Sequence, residues 1–490
     1  MASIIALYAI PFLTGLLAGL SKKTQWCEKL QAVGALLTLL TAGHIAVTVW
    51  TGQPVTAAND VFYIDALGAF NLFLIALVGF IASIYSVGYM RHELAEQIIG
   101  PRQLRFYYAF FHFFILTMLM VSTVNSLGLL WVGIELTTLV SALLVAFYGQ
   151  SNALEAAWKY LIMGSVGIAF ALLGIIFIYL SGMQTLGQQS PALNWTELTQ
   201  VAAVLNAEWV KLGFIFILVG FGTKAGLAPM HFWLPDAHSQ APSPISAVLS
   251  GVLLNTALYG VFRVYAIANV TLAGQASHYL VIFGLLSMAI TVPFIMVQHD
   301  LKRMLAYSSV EHMGIITLGV GIGGPLGLYG AFLHMFNHSM AKSLLFFTAG
   351  SICQHYRSKQ MHRISGILKV MPATGAIFLL AAVAITGAPP FNIFLSEITI
   401  MMAGFQSGRP WLTVAFVALI VLIFAGMMFY VVKMVFGEAP ARVEKMTLDG
   451  WSAAALIIPL ALVVVCGWVI PPILDSTLYQ VSGVLQGAGR

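Results

Sequence analysis

Charge is what this sequence has least of. Only 8% of its 490 residues are Asp, Glu, Lys or Arg, against 60% that are hydrophobic. A soluble domain carries about 25% charged residues, so a water-soluble fold is excluded. A membrane span needs about 20 apolar residues, and such runs fill nearly the whole chain, leaving no soluble domain of useful size. Cysteine is almost as scarce. Cys27, Cys353 and Cys466 are far apart and make no C-x-x-C pair, which argues against an iron–sulfur or zinc site and against a disulfide framework. Cofactor motifs are missing too. GVGIGG at 319–324 matches G-x-G-x-x-G, but it follows a hydrophobic helix, and a dinucleotide site needs strand–turn–helix. We expect a tight turn between helices there. The first run, MASIIALYAIPFLTGLLAGL, lacks a basic region before its apolar stretch and reads as a retained span rather than a signal peptide.

The few charges are placed with a pattern. Formal net charge is +5, and a nucleic-acid partner is not needed to explain it. Lys and Arg fall in alternate loops: Lys22, Lys23 and Lys29; Arg91, Arg102 and Arg105; Lys302 and Arg303; Arg357, Lys359, Arg363 and Lys369; Lys433, Arg442 and Lys445. Residues 182–208 have neither. The positive-inside rule then puts both termini outside, on the periplasmic side if the cell is Gram-negative; a multi-pass protein of a bacterial inner (plasma) membrane is expected.

The expected fold class is an all-α polytopic membrane protein with about fourteen spans. They are expected at 2–20, 30–50, 68–90, 106–124, 126–148, 157–181, 209–229, 242–266, 277–298, 302–323, 325–353, 372–405 (broken), 411–436 and 450–470. A short, mildly amphipathic tail follows from Pro471, with no room for a long lateral helix. Two spans are interrupted by Gly and Pro at corresponding depths: the seventh, GFGTKAGLAPMHFWLP (220–235), and the twelfth, AITGAPPFNIFLSE (384–397). Matching breaks point to an inverted repeat with functional sites at the breaks. They are tolerated only where the freed backbone faces protein or water.

A buried charge costs about 2.5–3.5 kcal/mol on insertion scales, so a charge inside a span is a candidate functional group. Such groups are Glu135 in LLWVGIELTTLVSALL, Lys224 in GFGTKAGLAP, Glu397 in FLSE, Glu311 and His312 in YSSVEHMG, and the set in HMFNHSMAKS (334–343). His334, His338 and Lys342 are four apart, which on a helix stacks them along one face. One half thus offers an acid, Glu135, and a lysine at a break, Lys224. The other offers a lysine, Lys342, and an acid at a break, Glu397. A lysine held by a carboxylate can release its proton when the partner moves away, and a series of such groups makes a proton relay. Blander readings compete. Glu135 and Lys224 suit a purely structural ion pair. His112 between Phe111 and Phe113 suits packing, Asp236 a structural role in the PDAH loop, and Glu155 with Lys159 a water-facing helix start. Metal binding by His231 and His238 has no supporting carboxylate–His spacing. We expect no metal.

KAGLAPMHFWLPDAHSQAPSPISA, DLKRMLAYSSVEHMG, HMFNHSMAKSLLFFTAGSI and GAPPFNIFLSE resemble hallmark segments of the antiporter-like membrane subunits. These include proton-pumping subunits of respiratory complex I, large subunits of multisubunit Na+/H+ antiporters, and membrane subunits of energy-converting hydrogenases. YSSVEHMG and PPFNIFLSE most resemble the antiporter-like component F of hydrogenase-4 and formate hydrogenlyase-type complexes. The resemblance implies fourteen helices with two inverted five-helix repeats, spans 4–8 (106–270) and 9–13 (271–440), preceded by 1–105 and followed by 441–490. By motif, Glu135, Lys224, His334, Lys342 and Glu397 match the family's relay positions; with His338 from its spacing and His312 they make the expected proton relay, and no cofactor is expected on this chain. It also implies partners: other membrane subunits and a peripheral redox arm of nickel–iron hydrogenase and iron–sulfur subunits. Asn255 in SGVLLNTALYG stands where several relatives have a connecting lysine. Asn cannot titrate, so passage between the halves would need His312, the histidines of the eleventh span, or water. The expected function is proton translocation in a redox-driven complex, the chain itself doing no redox chemistry. A Na+/H+ antiporter subunit, a proton-coupled inorganic carbon uptake subunit and a non-conducting scaffold are the rivals.

Overall fold

The computed structural model describes residues 1–187, 191–440 and 443–487; Arg442, part of the charge pattern, and 188–190 of the Lys/Arg-free stretch lie outside them. Helices α1 (Ala2–Leu20) and α2 (Thr24–Thr51) lead to a hairpin of β1 (Val55–Ala57) and β2 (Phe62–Ile64). Next come α3 (Ala66–Ala95), α4 (Pro101–Thr123), α5 (Leu127–Val145), α6 (Ser151–Leu186), the short α7 (Trp195–Gln200), α8 (Ala207–Ala225) and α9 (Trp233–Gln240). α10 (Ser243–Val248) runs through a π-helical turn, Leu249–Leu253, into α11 (Leu254–Thr271). α12 (Ala276–Met296), α13 (Leu301–Ile322), α14 (Gly324–Tyr356), the one-turn α15 (Ile367–Val370), α16 (Pro372–Ile385), α17 (Asn392–Gln406), α18 (Pro410–Phe436), α19 (Gly450–Val465) and α20 (Pro472–Gln486) complete the chain.

Helix dominates because hydrocarbon offers no partner for a free N–H or C=O. Among the described residues, ten helices are long and apolar enough to cross a membrane. The other expected spans fall short of that measure for physical reasons. α8 carries Glu208, Lys211 and Lys224. α14, at 33 residues, carries the His and Lys groups. The twelfth span is two half-length helices, α16 and α17, and α19 has only 16 residues. The turn expected at 319–324 is present: α13 ends at Ile322 and α14 starts at Gly324. Beyond Pro471 the tail is a helix, α20, packed on α3, α11 and α14.

α14 and the continuous helix Ser243–Thr271 form the buried centre, with α3 and α13 beside them. α1, α2, α6, α12 and α18 present apolar side chains outward, such as Phe12, Leu40, Ile176, Ile282 and Val421, as lipid-facing helices do. Without a hydrophobic drive between helices in lipid, close backbone approach carries the packing. α6 and α8 meet in this way at Gly220, where an added Cβ would lie 2.5 Å from Ala171 N and Gly167 O.

Candidate functional site

α8 ends at Ala225 and the chain resumes as helix only at Trp233. Such a break leaves carbonyls without helical partners. Gly226, in the left-handed region, caps α8, and the Trp233 indole N–H donates to the freed Thr223 carbonyl at 2.8 Å. This braced end holds Lys224, fully buried, one residue before the end of the helix. Its ammonium donates to Thr138 Oγ1 at 2.9 Å and to the Tyr160 hydroxyl, with its Nζ 4.4 Å from the Tyr160 ring centre. The Tyr160 hydroxyl is also bonded to Ser141 Oγ at 2.6 Å. Thr138 and Ser141 are i+3 and i+6 from Glu135 on α5. Glu135 is half-buried; its Oε1 accepts from Ser165 Oγ at 3.1 Å and its Oε2 has no partner. Glu135 and Lys224 therefore make no salt bridge. The lysine's hydrogen bonds go to hydroxyls, and the carboxylate acts on it by charge at longer range.

The second half is built on α13, α14 and α17. His334, His338 and Lys342 lie one turn apart on α14, all fully buried. Lys342 donates to the Leu305 carbonyl at 2.9 Å and to Ser308 Oγ. His312 Nδ1 is 2.8 Å from His334 Nε2, and His334 Nδ1 is 2.9 Å from Ser396 Oγ. The His312 and His338 ring centres are 5.2 Å apart, and neither His338 nitrogen has a partner. α17 starts after the second break, which is braced by amides: Asn337 donates to the Asn392 carbonyl at 2.7 Å, and Asn392 returns a bond to Asn337 Oδ1 at 3.0 Å. The Glu397 carboxylate rests against Gly387 inside that break. Donor atoms of His312, His334 and Glu397 lie within 4.8 Å of one another, all buried. That spacing would suit a metal, but the two imidazoles already spend a lone pair and a proton on each other. Glu311, also buried, interacts by charge with Lys342 and with Glu397.

Between the halves lies His238 on α9. It is fully buried with both ring nitrogens unpartnered. Its ring is 6.5 Å from Trp233, which stands 4.6 Å from Tyr160, and 5.5 Å from Phe346 of α14. His238 also interacts by charge with Lys342 and His338. Asn255 is fully buried and donates to the Gly251 carbonyl and to Ser339 Oγ, each at 2.9 Å. No titratable group stands in its place.

All seven relay candidates are thus buried or half-buried, in two groups with His238 between them. Sequence reasoning missed Tyr160, Ser141, Ser308 and Ser396. Hydroxyls are common in spans and carry no signal until a lysine or histidine is seen against them. It undervalued His238, whose signal was a histidine on α9, a helix with most of its residues buried. The blander readings fit the rest. Asp236 is tied to Lys159 at 3.2 Å and Arg303 at 3.1 Å, Lys159 also meets Glu155 at 2.7 Å near the surface, and His112 packs beside Phe111. His231 stacks on Phe232 and His238 on Phe346, each in its own aromatic setting.

Residues 124–423 match the family model described as NADH:quinone oxidoreductase/Mrp antiporter, transmembrane. Residues 56–107 match the N-terminus of chain 5 of NADH-ubiquinone oxidoreductase (complex I). The chain is 40% identical over 379 residues to a hydrogenase-4 component F homolog of Methylacidiphilum infernorum, across 77% of this chain and 79% of that one. It is 31% identical over 409 residues to NADH-quinone oxidoreductase subunit N of Desulforudis audaxviator, across 82% and 78%. Its fold matches a chain of the membrane-bound sulfane sulfur reductase, an archaeal respiratory membrane complex, with TM-score 0.86 at 22% identity over 99% of both chains. A chain of the Mrp complex from Dietzia sp. DQ12-45-1b matches with TM-score 0.85 at 19% identity, over 99% of this chain and 98% of that one. Helical architecture, paired breaks and family model agree: the chain belongs to the NADH:quinone oxidoreductase/Mrp antiporter family of antiporter-like membrane subunits.

Proposed function

We propose that this chain is the proton-translocating membrane subunit of a redox-driven complex of the hydrogenase-4 or formate hydrogenlyase type, in a bacterial inner membrane with both termini outside. The observation that carries the reading is the buried line of ionisable groups: Glu135 and Lys224 in one half, His312, His334, His338, Lys342 and Glu397 in the other, and His238 between. A hydrocarbon setting makes each such group costly, and a chain of them with proton-holding contacts near 2.8 Å supports conduction. Lys224, held by the Thr138 and Tyr160 hydroxyls and acted on by the Glu135 charge at longer range, is the switch. His238 takes the bridging part that a lysine at position 255 would otherwise play. Lys342 and the His338–His312–His334 cluster pass the proton on, and Glu397 is the terminal group. The residues of 106–270 and 271–440 are the two inverted repeats that carry these halves. A separate arm of nickel–iron hydrogenase and iron–sulfur subunits supplies the driving reaction.

The test is purification from the native membrane in mild detergent, with co-purifying chains identified by mass spectrometry. Hydrogenase and iron–sulfur chains are expected. Small antiporter-type membrane subunits without a redox arm, or a soluble carbon-handling partner, would overturn the redox assignment.

A further inference from the structure

A cleft of about 960 Å³ opens at one end of the bundle, lined among others by Val49, Trp195, Ala266 and Gln480, with Asp65 in its wall. It lies beside the Lys/Arg-free stretch 182–208, hence at the outer end by the positive-inside rule. From that wall Asp65 reaches Arg263 behind it in a two-pronged ion pair, both contacts 2.6 Å, with the side chains only 5% and 3% exposed. Trp195 and Tyr259 flank the guanidinium, 4.4 and 4.8 Å from their ring centres. The proton path described above uses none of these groups.

α11 carries Asn255, Tyr259 and Arg263 at intervals of four, one face of the helix. Arg263 Nε donates to the Tyr259 hydroxyl at 2.9 Å, and that hydroxyl lies 3.4 Å from the Ser122 carbonyl. Asn71 donates to Ser122 Oγ at 2.8 Å, and Asn255 donates to Ser339 Oγ, the residue after His338. Asn71 Oδ1 and Asn255 Oδ1 are buried without a partner. These two orphaned acceptors, one on α3 and one on α11, are places where buried water belongs.

We propose that the cleft is the outer aqueous mouth of the proton path and that the pair of Asp65, in its wall, with Arg263 behind it is its gate. The inference rests on the proton-translocating reading above. Arg263 cannot give up its proton, so Asp65 is the carrier. Its carboxylate takes a proton from water on the Tyr259 side, which loosens the ion pair. The carboxylic acid then passes that proton to water in the cleft, and the pair closes again. One proton enters and one leaves, with no other bond changed.

Two measurements on the assembled complex in membrane vesicles test this. In a chain with Cys27→Ser, Cys353→Ser and Cys466→Ser, Ala66→Cys beside Asp65 should react with a membrane-impermeant maleimide added from the outer side. Absence of labelling from that side overturns the mouth. In Asp65→Leu/Arg263→Met, which replaces the charges by apolar groups of similar size, proton uptake per electron should fall at least tenfold in assembled complex. Unchanged uptake means that the pair only clamps α3 to α11, and overturns the gate. Should that variant fail to assemble, Asp65→Glu keeps the pair but displaces the carboxylate, and should slow uptake several-fold; an unchanged rate again overturns the gate. A wild-type complex that moves no protons overturns this inference together with its parent. A pumping wild type with a pumping double variant overturns the gate alone.

Discussion

Gly387 offers the sharpest perturbation of the terminal group. It sits inside the second break with φ +73°, and an added Cβ would lie 1.9 Å from Glu397 Oε2, 2.8 Å from its Cδ and 3.0 Å from Oε1. Ordinary contact begins near 3.4 Å, so in Gly387→Ala the carboxylate must retreat by about 1.5 Å. The left-handed backbone adds strain of about 1–2 kcal/mol for a residue with a Cβ. Proton transfer needs heavy atoms about 2.6–3.2 Å apart, or one bridging water; the Glu397, His312 and His334 donor atoms lie within 4.8 Å of one another, and displacing the carboxylate by about 1.5 Å disturbs that spacing. Proton uptake into inverted vesicles, driven by the complex's own redox substrate, should therefore fall at least tenfold with assembly retained. Gly408→Ala is the control for strain alone: its φ is +71° and nothing lies within 4 Å of an added Cβ. It should pump normally. Equal loss in both variants, or normal uptake in Gly387→Ala, would refute the reasoning.

Other substitutions probe the rest of the line. Glu135→Gln and Lys224→Ala should each abolish coupled proton movement while leaving assembly intact, read by uptake assays and by co-purification. His238→Leu should reduce uptake at least tenfold if the halves are bridged there, whereas a change below twofold would place the bridge elsewhere. Ser396→Ala removes a 2.9 Å partner of His334 and should slow uptake several-fold, with a stability change of about 1 kcal/mol in thermal unfolding of the purified complex. Tyr85→Phe removes a buried hydroxyl that donates to the Phe347 carbonyl at 2.7 Å; it should cost about 1 kcal/mol and leave uptake unchanged.

The breaks were legible because Gly and Pro have only a few backbone uses. GTKAGLAP and ITGAPPF sit where α8 stops at Ala225 and α16 stops at Ile385. The face of His334, His338 and Lys342 was legible from spacing alone, since helical periodicity fixes it. What those residues meet was not. The 2.8 Å contact of His312 with His334 depends on how α13 packs against α14. Ser308 and Ser396 look like any span serine until their partners arrive from other helices. Glu135 shows the limit most plainly. An acid and a lysine in one half suggest a pair, yet the lysine found Thr138 and Tyr160 and the acid found Ser165. The β1–β2 hairpin also escaped notice: its turn runs through Ala58, Asn59 and Asp60, all at positive φ, and only the Asn and Asp favour that backbone.

The central claim is that protons pass through the buried groups of this chain, and Lys342→Met tests it most directly. The substitution keeps an unbranched side chain of similar length where Lys342 now meets Leu305 and Ser308, and it removes the proton. Measured as protons taken up per electron in inverted vesicles, the assembled variant should fall to a tenth of wild type or less. An assembled Lys342→Met complex with the wild-type ratio would contradict the account.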